Sequence, residues 1–338
     1  MRIGLIGAGA VAGYHIGATD SIVGAEVTAV CDLDESTARR AASLARDAAV
    51  FTDYRVMIDR ADLDAVIVNT PHSLHLPMTV EAARAGLHVL VEKPMATSVA
   101  DCDTMAAESA AAGVALAVGH IQHFLPDKVA AHELIASGEV GDVLMVRDHR
   151  STDYRPGSRP GWFFSPEVAG GGALFNIGGH CLDRSVWFGG ARAVEVSAST
   201  VRRFDSPVET DGSISLRLEN GVGVSIAVLS DPPGRNDNLA IVCERGVIEA
   251  DPRAGTSVQI DGHRRMVHEP GHDDIQHAFT AQLRDFIAVV GGAAPTVPLE
   301  HARHVVQLVL ESYRSAATGA AVRVPEGADV IAAGVAGR

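Results

Sequence analysis

The chain has 338 residues, and at about 150 residues per domain this length suggests two domains. Its composition, 47% hydrophobic and 21% charged, is typical of a globular chain with a sizeable core and argues against extended disorder. A net charge of -14 without runs of Lys or Arg argues against nucleic acid as a partner, so a small-molecule partner is expected.

The cysteines are widely scattered and form no C-x-x-C pair, which indicates neither a disulfide framework nor a cysteine zinc site. They are Cys31, Cys102, Cys181 and Cys243. A reducing, cytoplasmic location is therefore expected. The apolar first segment lacks the basic cluster and A-x-A exit of a signal peptide, and no window has the roughly 18 uninterrupted apolar residues of a membrane span, so we expect no membrane association.

From residue 1 to about 120, short apolar runs alternate with alanine-rich helical stretches. Strands are predicted over Arg2–Ile6, Glu26–Cys31, Ala65–Asn69, His88–Val91 and Ala115–Val118. Helices are predicted over Glu35–Asp47 and Ser98–Ala112, with Ser98 as the N-cap. This alternation predicts βαβ units on an N-terminal doubly wound parallel sheet, the Rossmann type of α/β fold.

The pattern changes after Pro126. A helix to about Ser137 and a strand from Val143 precede a loop rich in Arg, Pro and aromatic residues, STDYRPGSRPGWFFSPE at 151–167. Strands of alternating character between residues 193 and 267 predict an antiparallel sheet, and helices are predicted over His272–Val290 and Leu299–Thr318. We therefore predict domains at 1–122 and 123–338, with the tail after Pro325 loosely held.

A glycine-rich motif, GAGAVA at residues 7–12, follows the first predicted strand and matches the G-x-G-x-x-G/A dinucleotide fingerprint. Gly7 allows a tight turn, and Gly9 lets the backbone approach a pyrophosphate. Ala10 and Val11 lead into the following helix, whose N-terminus attracts an anion. These four residues are assigned to cofactor binding.

Asp32 lies about twenty residues beyond this motif, at the end of the second strand, where its carboxylate can accept hydrogen bonds from ribose hydroxyls. The alternative is a glycine turn followed by a chance acid. Because Leu33 and Asp34 follow instead of an arginine, a 2′-phosphate would be repelled there, so the motif favours NAD over NADP.

Polar residues also follow three other predicted strands. They are Thr70-Pro71-His72-Ser73-Leu74-His75, Glu92-Lys93 and Gly119-His120. Ligands of doubly wound sheets bind beyond the carboxyl ends of the strands, so these residues are expected at one cleft. We assign Thr70, Pro71, His75, Glu92 and Lys93 to cofactor binding. Lys93 could also hydrogen-bond a substrate hydroxyl; the alternative is a solvated ion pair with Glu92.

Taken together, these motifs and three later segments resemble the Gfo/Idh/MocA oxidoreductase family over nearly the whole chain. The matching segments are the GAGAVA fingerprint, Asp32, TPHSLH, VEKP, Gly161-Trp162, GGGALFNIGGHCLD at 170–183 and Glu311-Ser312. Their order and spacing make the resemblance specific.

The resemblance implies a Rossmann domain followed by an α+β domain with an open, mostly antiparallel sheet. That second domain would bind substrate and form the interface of a homodimer or homotetramer. The implied activity is NAD(P)-dependent oxidation or reduction of sugars, inositols or related polyols. Relatives place the lysine of the E-K-P motif, here Lys93, beside the reacting carbon, often with a cis peptide before the proline.

The resemblance also implies catalytic roles for His180 and for the residue at position 176. His180 matches the family pattern, whereas Asn176 stands where aspartate is commonest, although asparagine occurs there in some relatives. His123 likewise stands where relatives often have arginine. Trp162 either packs on the nicotinamide or sugar or anchors its loop, and the resemblance favours the cofactor contact.

Histidine pairs at i, i+3 spacing raise the question of a metal. The pairs are His72/His75, His120/His123 and His301/His304. No acid or cysteine completes a set at characteristic spacing, and hydride transfer to nicotinamide needs no metal, so we expect none and interpret His301/His304 as a solvated helix face.

Three arginines, Arg150, Arg155 and Arg159, lie in or next to the loop before Trp162. They could clamp a carboxylate or phosphate, since a guanidinium matches such oxyanions bidentately. The alternative is that they are surface residues of a mobile loop.

The favoured interpretation is hydride transfer from a secondary carbinol of a sugar or cyclic polyol to NAD, with Lys93 bonded to the hydroxyl and His180 removing its proton. Two alternatives remain open. One is NAD-dependent glycoside cleavage or elimination through a transient oxidation, and the other is a nucleotide-sensing regulator that kept the fold.

Overall fold

The computed structural model of the chain describes residues 1–46, 48–234 and 237–326. The chain divides into two compact units, Met1–Phe124 with Ile275–Arg303, and Leu125–Asp274 with the described residues from His304 onward. The predicted division after residue 122 assigns everything downstream to the second domain, whereas residues 275–303 belong to the first unit. The predicted loose tail lies, from residue 327 on, outside the described residues.

Short buried strands and amphipathic helices alternate in the first part of the chain. The strands are β1 (Arg2–Ile6), β2 (Glu26–Cys31), β3 (Ala49–Phe51), β4 (Ala65–Val68), β5 (His88–Glu92) and β6 (Leu116–Gly119). The helices are α1 (Ala12–Asp20), α2 (Glu35–Leu44), α3 (Tyr54–Arg60), α4 (His75–Arg84) and α5 (Val99–Ala112). The Ser98 side chain accepts from the Asp101 amide at 3.1 Å, as predicted for an N-cap.

These strands form a six-stranded sheet of order β3-β2-β1-β4-β5-β6 in which every neighbouring pair is parallel. The predicted doubly wound parallel sheet is confirmed. The strand order reverses between β1 and β4, and at such a switch point the carboxyl ends of the strands open a crevice for a ligand. The residues that follow β1, β2, β4, β5 and β6 all lie at this edge.

The second unit is built on one large sheet. Its strands are β7 (Val143–Thr152), β8 (Ala193–Val201), β9 (Asp211–Leu218), β10 (Gly223–Ser230), β11 (Asp237–Cys243), β12 (Gly246–Asp251), β13 (Gly255–Ile260), β14 (His263–His268) and β15 (Val322–Arg323). Its helices include α6 (Pro126–Ala136), α7 (Pro166–Ala169) and α8 (Gly179–Gly189). The order is β14-β13-β12-β11-β7-β10-β9-β8-β15, antiparallel except for the parallel pair β7 and β10, so the sheet is mixed but mostly antiparallel.

The two faces of this sheet differ. One face carries the buried alternate residues of the strands, such as Ile214, Ile226 and Val146, which pack with Leu182 and Val186 of α8 in one core. The other face is open over β8, β9 and β10 and carries exposed side chains, small ones among them at Ser197, Ser199, Ser213, Ser215 and Ser225, and larger ones such as Arg217. The alternation predicted for residues 193–267 produces this arrangement.

The last two helices are α9 (Asp274–Val290) and α10 (Leu299–Thr318). In the first unit, Phe279, Leu283 and Phe286 of α9 are buried against the core that contains Leu5 of β1. The Phe279 ring stacks on Tyr14 of α1 with 5.1 Å between centroids. This helix therefore completes the core of the first unit, although it lies far along the chain.

Candidate active site

The glycine loop after β1 has the backbone conformation and the open space that the dinucleotide fingerprint requires. Gly7 has φ +90°, and a Cβ there would lie 2.7 Å from the Asn69 carbonyl oxygen, so only glycine fits. A Cβ at Gly9 would meet nothing within 4 Å, which leaves open space above the loop. In the described residues no protein acceptor takes the amides of Gly9, Ala10 or Val11, which lie before α1.

Asp32 organises this loop. Its Oδ2 accepts the Ala8 amide at 2.8 Å and its Oδ1 accepts the Asp34 amide at 3.0 Å. Asp34 in turn caps α2 by accepting the Ser36 amide at 2.8 Å. The carboxylate of Asp32 is thus held in place at the strand end, and a second carboxylate lies two residues further on.

The segment after β4 was predicted to contact the cofactor. Thr70 and Pro71 are half-buried at the sheet edge, and their predicted role stays a prediction. His75 is fully buried, its Nδ1 lies 2.8 Å from the Pro94 carbonyl oxygen, and its Nε2 lies 3.0 Å from that of Thr70. These two contacts link the loops after β4 and β5, and the predicted cofactor contact of His75 stays a prediction.

Glu92 is held at the end of β5 by a residue that sequence reasoning missed. His15 of α1 is fully buried, and its Nε2 lies 3.0 Å from Glu92 Oε1. A Cβ at Gly119 would lie 3.1 Å from the same carboxylate oxygen. The only available signal was the position of His15 in the helix after the fingerprint. Its partner lies 77 residues away in sequence.

Burial by itself raises the pKa of Glu92, but the hydrogen bond and electrostatic attraction of His15, with help from Lys93, outweigh it, so the pKa is lowered. A carboxyl with a lowered pKa stabilises the fold above its usual pKa, and this contribution is lost as the pH falls through the folded-state value. We expect Glu92→Gln to cost about 1.5–3 kcal/mol at neutral pH, the value of a hydrogen bond to a charged group.

Thermal unfolding followed from pH 7 to pH 3 checks this expectation. The melting temperature of Glu92→Gln should lie below that of the wild type at pH 7, and the difference should shrink on acidification. Asp59→Asn, which removes an exposed carboxylate of α3, is the matched control and should follow the wild-type curve. A difference that is constant with pH would contradict the assignment.

Lys93 lies directly after β5 and is half-buried at the sheet edge, so neither it nor Glu92 belongs inside the sheet. Its amide lies 3.3 Å from Glu92 Oε2. The Lys93–Pro94 peptide bond is cis, as the family resemblance implied. Its catalytic role stays a prediction.

In the second unit, the triple glycine at 170–172 is explained by close packing. A Cβ at Gly171 would lie 2.1 Å from the Tyr313 hydroxyl, and one at Gly172 would lie 2.2 Å from the Glu209 carbonyl oxygen. The buried Glu209 carboxylate accepts the Gly172 and Leu174 amides at 2.9 and 3.0 Å and the Tyr313 hydroxyl at 2.6 Å. Glu209 thus fixes the start of the segment that carries Asn176.

Asn176 and His180 occupy an irregular junction. Residues Leu174–Gly178 form a π-helical turn that continues into α8, where His180 is the second residue. Such turns occur frequently at functional sites. Asn176 is 6% exposed and lies beside the buried Tyr154 hydroxyl, whereas His180 is half-buried. The catalytic roles assigned to both stay predictions.

The loop that carries Trp162 is ordered by its own aromatic and arginine residues. Trp162 is half-buried and stacks on Phe163 with 3.8 Å between centroids. Arg159 lies over the Tyr154 ring at 4.9 Å, and Arg155 bonds Asp153 at 2.8 Å. The Phe163 contact favours a loop anchor, and the predicted cofactor contact of Trp162 stays a prediction.

The histidine pair at the start of α10 was interpreted as a solvated face, and for His304 this is wrong. His304 is 4% exposed, and its Nε2 accepts the Ala193 amide at 3.1 Å. In the first unit His301 is half-buried, with its ring 5.1 Å from that of His123. The helical pattern misled here because α10 is covered on more than one side.

The first unit fits a dinucleotide. Gly9 leaves space for a pyrophosphate, the amides of Ala10 and Val11 are available to it, and Asp32 presents an oriented carboxylate where a ribose would lie. In the described residues, no helix has the length and apolar character needed to cross a bilayer.

Cofactor choice follows from this geometry. Asp32, with Asp34 two residues on, should repel a 2′-phosphate, so we expect NAD to bind more tightly than NADP by about tenfold or more, the factor given by 1.4 kcal/mol. Calorimetric titration of both nucleotides checks this, and Asp32→Ser should narrow the ratio. Equal affinities in the wild type would refute the role of Asp32.

A six-stranded parallel sheet with a glycine fingerprint, an acid after β2 and polar residues at the strand ends identifies a dinucleotide-binding protein. The chain belongs to the Gfo/Idh/MocA family, as the sequence motifs indicated. Residues 1–120 match the oxidoreductase family with an NAD-binding Rossmann fold, and residues 129–249 match the GFO/IDH/MocA C-terminal domain. It is an NAD-binding enzyme.

Similar proteins include inositol 2-dehydrogenase 2 of Saccharopolyspora erythraea, 30% identical over 295 residues that cover 85% of this chain and 84% of that protein. The 1-carboxy-3-chloro-3,4-dihydroxycyclohexa-1,5-diene dehydrogenase of Comamonas testosteroni is 33% identical over 67% of this chain and 57% of that protein. Among solved structures, GenD2 from gentamicin A biosynthesis in complex with NAD has a TM-score of 0.86 and 26% identity, covering 96% of this chain and 97% of that one.

Proposed function

We propose that the chain is an NAD-dependent dehydrogenase or reductase that acts on a secondary hydroxyl of a sugar, inositol or related cyclic polyol. The observation that carries the proposal is the arrangement of the first unit, where Lys93 follows β5 at the same sheet edge as the glycine loop and Asp32. The names of the similar inositol and dihydroxydiene dehydrogenases support this class of substrate.

In this proposal, Lys93 and His180 divide the proton chemistry. The Lys93 ammonium donates a hydrogen bond to the substrate oxygen, and His180 removes the hydroxyl proton. The glycine loop and Asp32 would hold NAD, which would supply the acceptor for the hydride of the carbinol carbon. In the reverse direction the same two groups act as acids. The loop that carries Lys93 is positioned by Glu92, which accepts the Lys93 amide, and by His75, which contacts the Pro94 carbonyl oxygen.

The test is NADH formation, followed at 340 nm, with a panel of inositols, aldoses, polyols and glycosides. Release of NADH with a free polyol or sugar supports the proposal. Cleavage of a glycoside without net NADH would support the elimination chemistry instead, and nucleotide binding without turnover of any compound would support a sensing role.

Asn176 offers a further prediction. If its side chain lies near His180, as the four-residue spacing allows, the histidine lacks a carboxylate that would stabilise its charged form. We expect Asn176→Asp to stay active and to move the acidic limb of the kcat/KM profile upward by about one pH unit. Asn176→Ser, which adds no charge, is the control. An unmoved limb in an active Asp variant would show that residue 176 does not touch the base.

The open face of the large sheet supports a proposal about assembly. Its small exposed residues, including Ser197, Ser213 and Ser225, would let a second copy approach the sheet closely, so we propose a homodimer or homotetramer built on this face. Sedimentation of the wild type tests this. Ser213→Arg and Ser225→Arg should shift the protein towards monomer, and a monomeric wild type would refute it.

We also place the enzyme in the cytoplasm. Its four cysteines are free and buried, which suits a reducing compartment, and NAD is its cofactor. Fractionation of cells that express the chain with a small tag tests this location.

A further inference from the structure

A pocket of about 440 Å³ opens in the second unit beside the segment that carries Asn176. Ile177, the next residue along the chain, forms part of its wall, and so does the end of β7 from Arg150 to Asp153. Arg159 and Asp237 also line it. The pocket therefore adjoins Asn176, one of the proposed catalytic residues, so the charged groups in its wall would contact part of a bound substrate.

Arg150 presents a hydrogen-bond donor without a partner. Its Nη1 is buried, and in the described part of the chain it bonds no acceptor. The nearest carboxylate is that of Asp237, 3.6 Å from Arg150 Nε, which is beyond hydrogen-bond distance. Asp237 is already held by Arg184, whose Nη2 donates to it at 3.2 Å. A buried guanidinium donor in this position favours an added acceptor.

Among the residues that the structure describes, Arg159 likewise bonds no carboxylate. Its Nε donates to the Asp153 carbonyl oxygen at 2.8 Å, and its Nη2 donates to the Thr152 hydroxyl at 2.7 Å. Burial lowers the pKa of Arg159, and the like charge of Arg150 lowers it further, although Tyr154 and Asp153 act in the opposite direction. Two guanidinium groups that repel each other across a pocket are both stabilised by an anion between them.

The acids of the pocket are occupied by other groups. Asp153 is paired with Arg155 at 2.8 Å, and Asp237 is shared between Arg184 at 3.2 Å and the more distant Nε of Arg150 at 3.6 Å. Asp251 accepts the amides of residues 253 and 254 at 2.7 and 3.0 Å. The wall also includes Arg253, so three arginines face three aspartates, and these aspartates balance the formal positive charge. Because they would repel a second negative charge, the pocket suits a carboxylate better than a phosphate dianion.

We propose that Arg150 and Arg159 bind a carboxylate group of the substrate, so that the substrate is an acid form of a sugar or cyclic polyol, such as an uronate, an aldonate or a carboxylated cyclitol. The planar fork of each guanidinium matches the two oxygens of a carboxylate. This inference rests on the proposed function, to which it adds the substrate class.

Calorimetric titration of the NAD-bound enzyme tests the site independently of turnover. The probes are matched pairs: D-glucuronate with D-glucose, D-galacturonate with D-galactose, and quinate with myo-inositol, with glucose 6-phosphate as the phosphate probe. We expect at least one acid to bind about tenfold or more tightly than its neutral partner, a difference of about 1.4 kcal/mol, and glucose 6-phosphate to bind more weakly than that acid.

Variants then locate the effect. Arg150→Gln and Arg159→Gln should each weaken binding of the acid by about tenfold or more and change binding of the neutral partner by less than about twofold. Arg150→Lys keeps the positive charge but lacks the planar fork of the guanidinium. Its affinity for the acid should therefore lie between those of the wild type and Arg150→Gln. Arg264→Gln, an exposed arginine of β14, is the control and should match the wild type. Unchanged melting temperature and NAD affinity show that each variant is folded.

The outcomes separate this proposal from the proposed function. Acids that bind no more tightly than their neutral partners, or arginine variants that weaken both equally, overturn the carboxylate site. Preference for glucose 6-phosphate over every acid overturns it in favour of a phosphate site. Arginine-dependent binding of an acid without NADH formation keeps the site and counts against the dehydrogenase. Oxidation of neutral polyols in preference to acids keeps the dehydrogenase and overturns the site.

Discussion

Replacing Lys93 with alanine is expected to lower kcat by about a hundredfold or more and to leave the melting temperature nearly unchanged. Lys93 follows β5 at the carboxyl edge of the sheet and is only half-buried, so its side chain has no place in the core. A proton-transfer or hydroxyl-binding role would be lost in the chemical step, so kcat should fall more than KM rises.

The other lysine of the chain, Lys128, provides the contrast. It is 1% exposed, pairs with Asp127, and has a pKa lowered by burial. Lys128→Ala should therefore lower the melting temperature. A Lys93→Ala protein with normal kcat on a substrate found at 340 nm would remove Lys93 from the mechanism, and one that unfolds would show that its role is structural.

The second large effect concerns stability. Arg184 is 2% exposed, and its Nε and Nη2 donate to Asp148 at 2.6 and 2.5 Å. Asp148→Asn should reduce the free energy of unfolding of the second unit by about 3–5 kcal/mol, because it leaves a buried guanidinium without its main counter-charge. Urea unfolding followed by tryptophan fluorescence measures this, since both tryptophans, Trp162 and Trp187, lie in that unit.

Two comparisons show whether the buried charge is the cause. The double replacement Asp148→Leu with Arg184→Met should be less destabilising than Asp148→Asn, because it removes both charges and fills the space with apolar atoms. Glu81→Gln breaks an ion pair with Arg55, whose side chain is 61% exposed, and should change the unfolding curve little. A double variant that is less stable than Asp148→Asn would mean that the pair stabilises the fold through more than the balance of its charges.

Local sequence patterns were sufficient to predict most of the strands and helices of the first unit. The bounds of β1 and β2 were predicted correctly because a glycine turn and Asp32 mark where the strands end. The three-residue strand β3 was missed, since Ala49–Phe51 is too short to show a period. Helix α2 ends at Leu44, earlier than the predicted Asp47, which lies outside the described residues.

Contacts between distant residues could not be predicted from such patterns. The buried pair of His15 and Glu92, the role of Glu209 behind the triple glycine, and the burial of His75 each depend on segments that meet only in three dimensions. The parallel pairing of β7 with β10 inside a mostly antiparallel sheet has the same origin. Alternation specifies which face of a strand is buried, and it does not specify the neighbour.

Helix α9 gives the first unit a dependence on the order of synthesis. Phe279, Leu283 and Phe286 fill the core of that unit, yet the ribosome makes them only after strands β7 to β14 of the second unit's large sheet. One apolar surface of the nascent Rossmann sheet therefore stays uncovered while about 150 further residues are synthesised. Such an exposed apolar surface is prone to aggregation. For the same reason, a fragment cut at residue 124 lacks part of its own core, and exchanging this unit between relatives requires transferring two separate stretches of the gene.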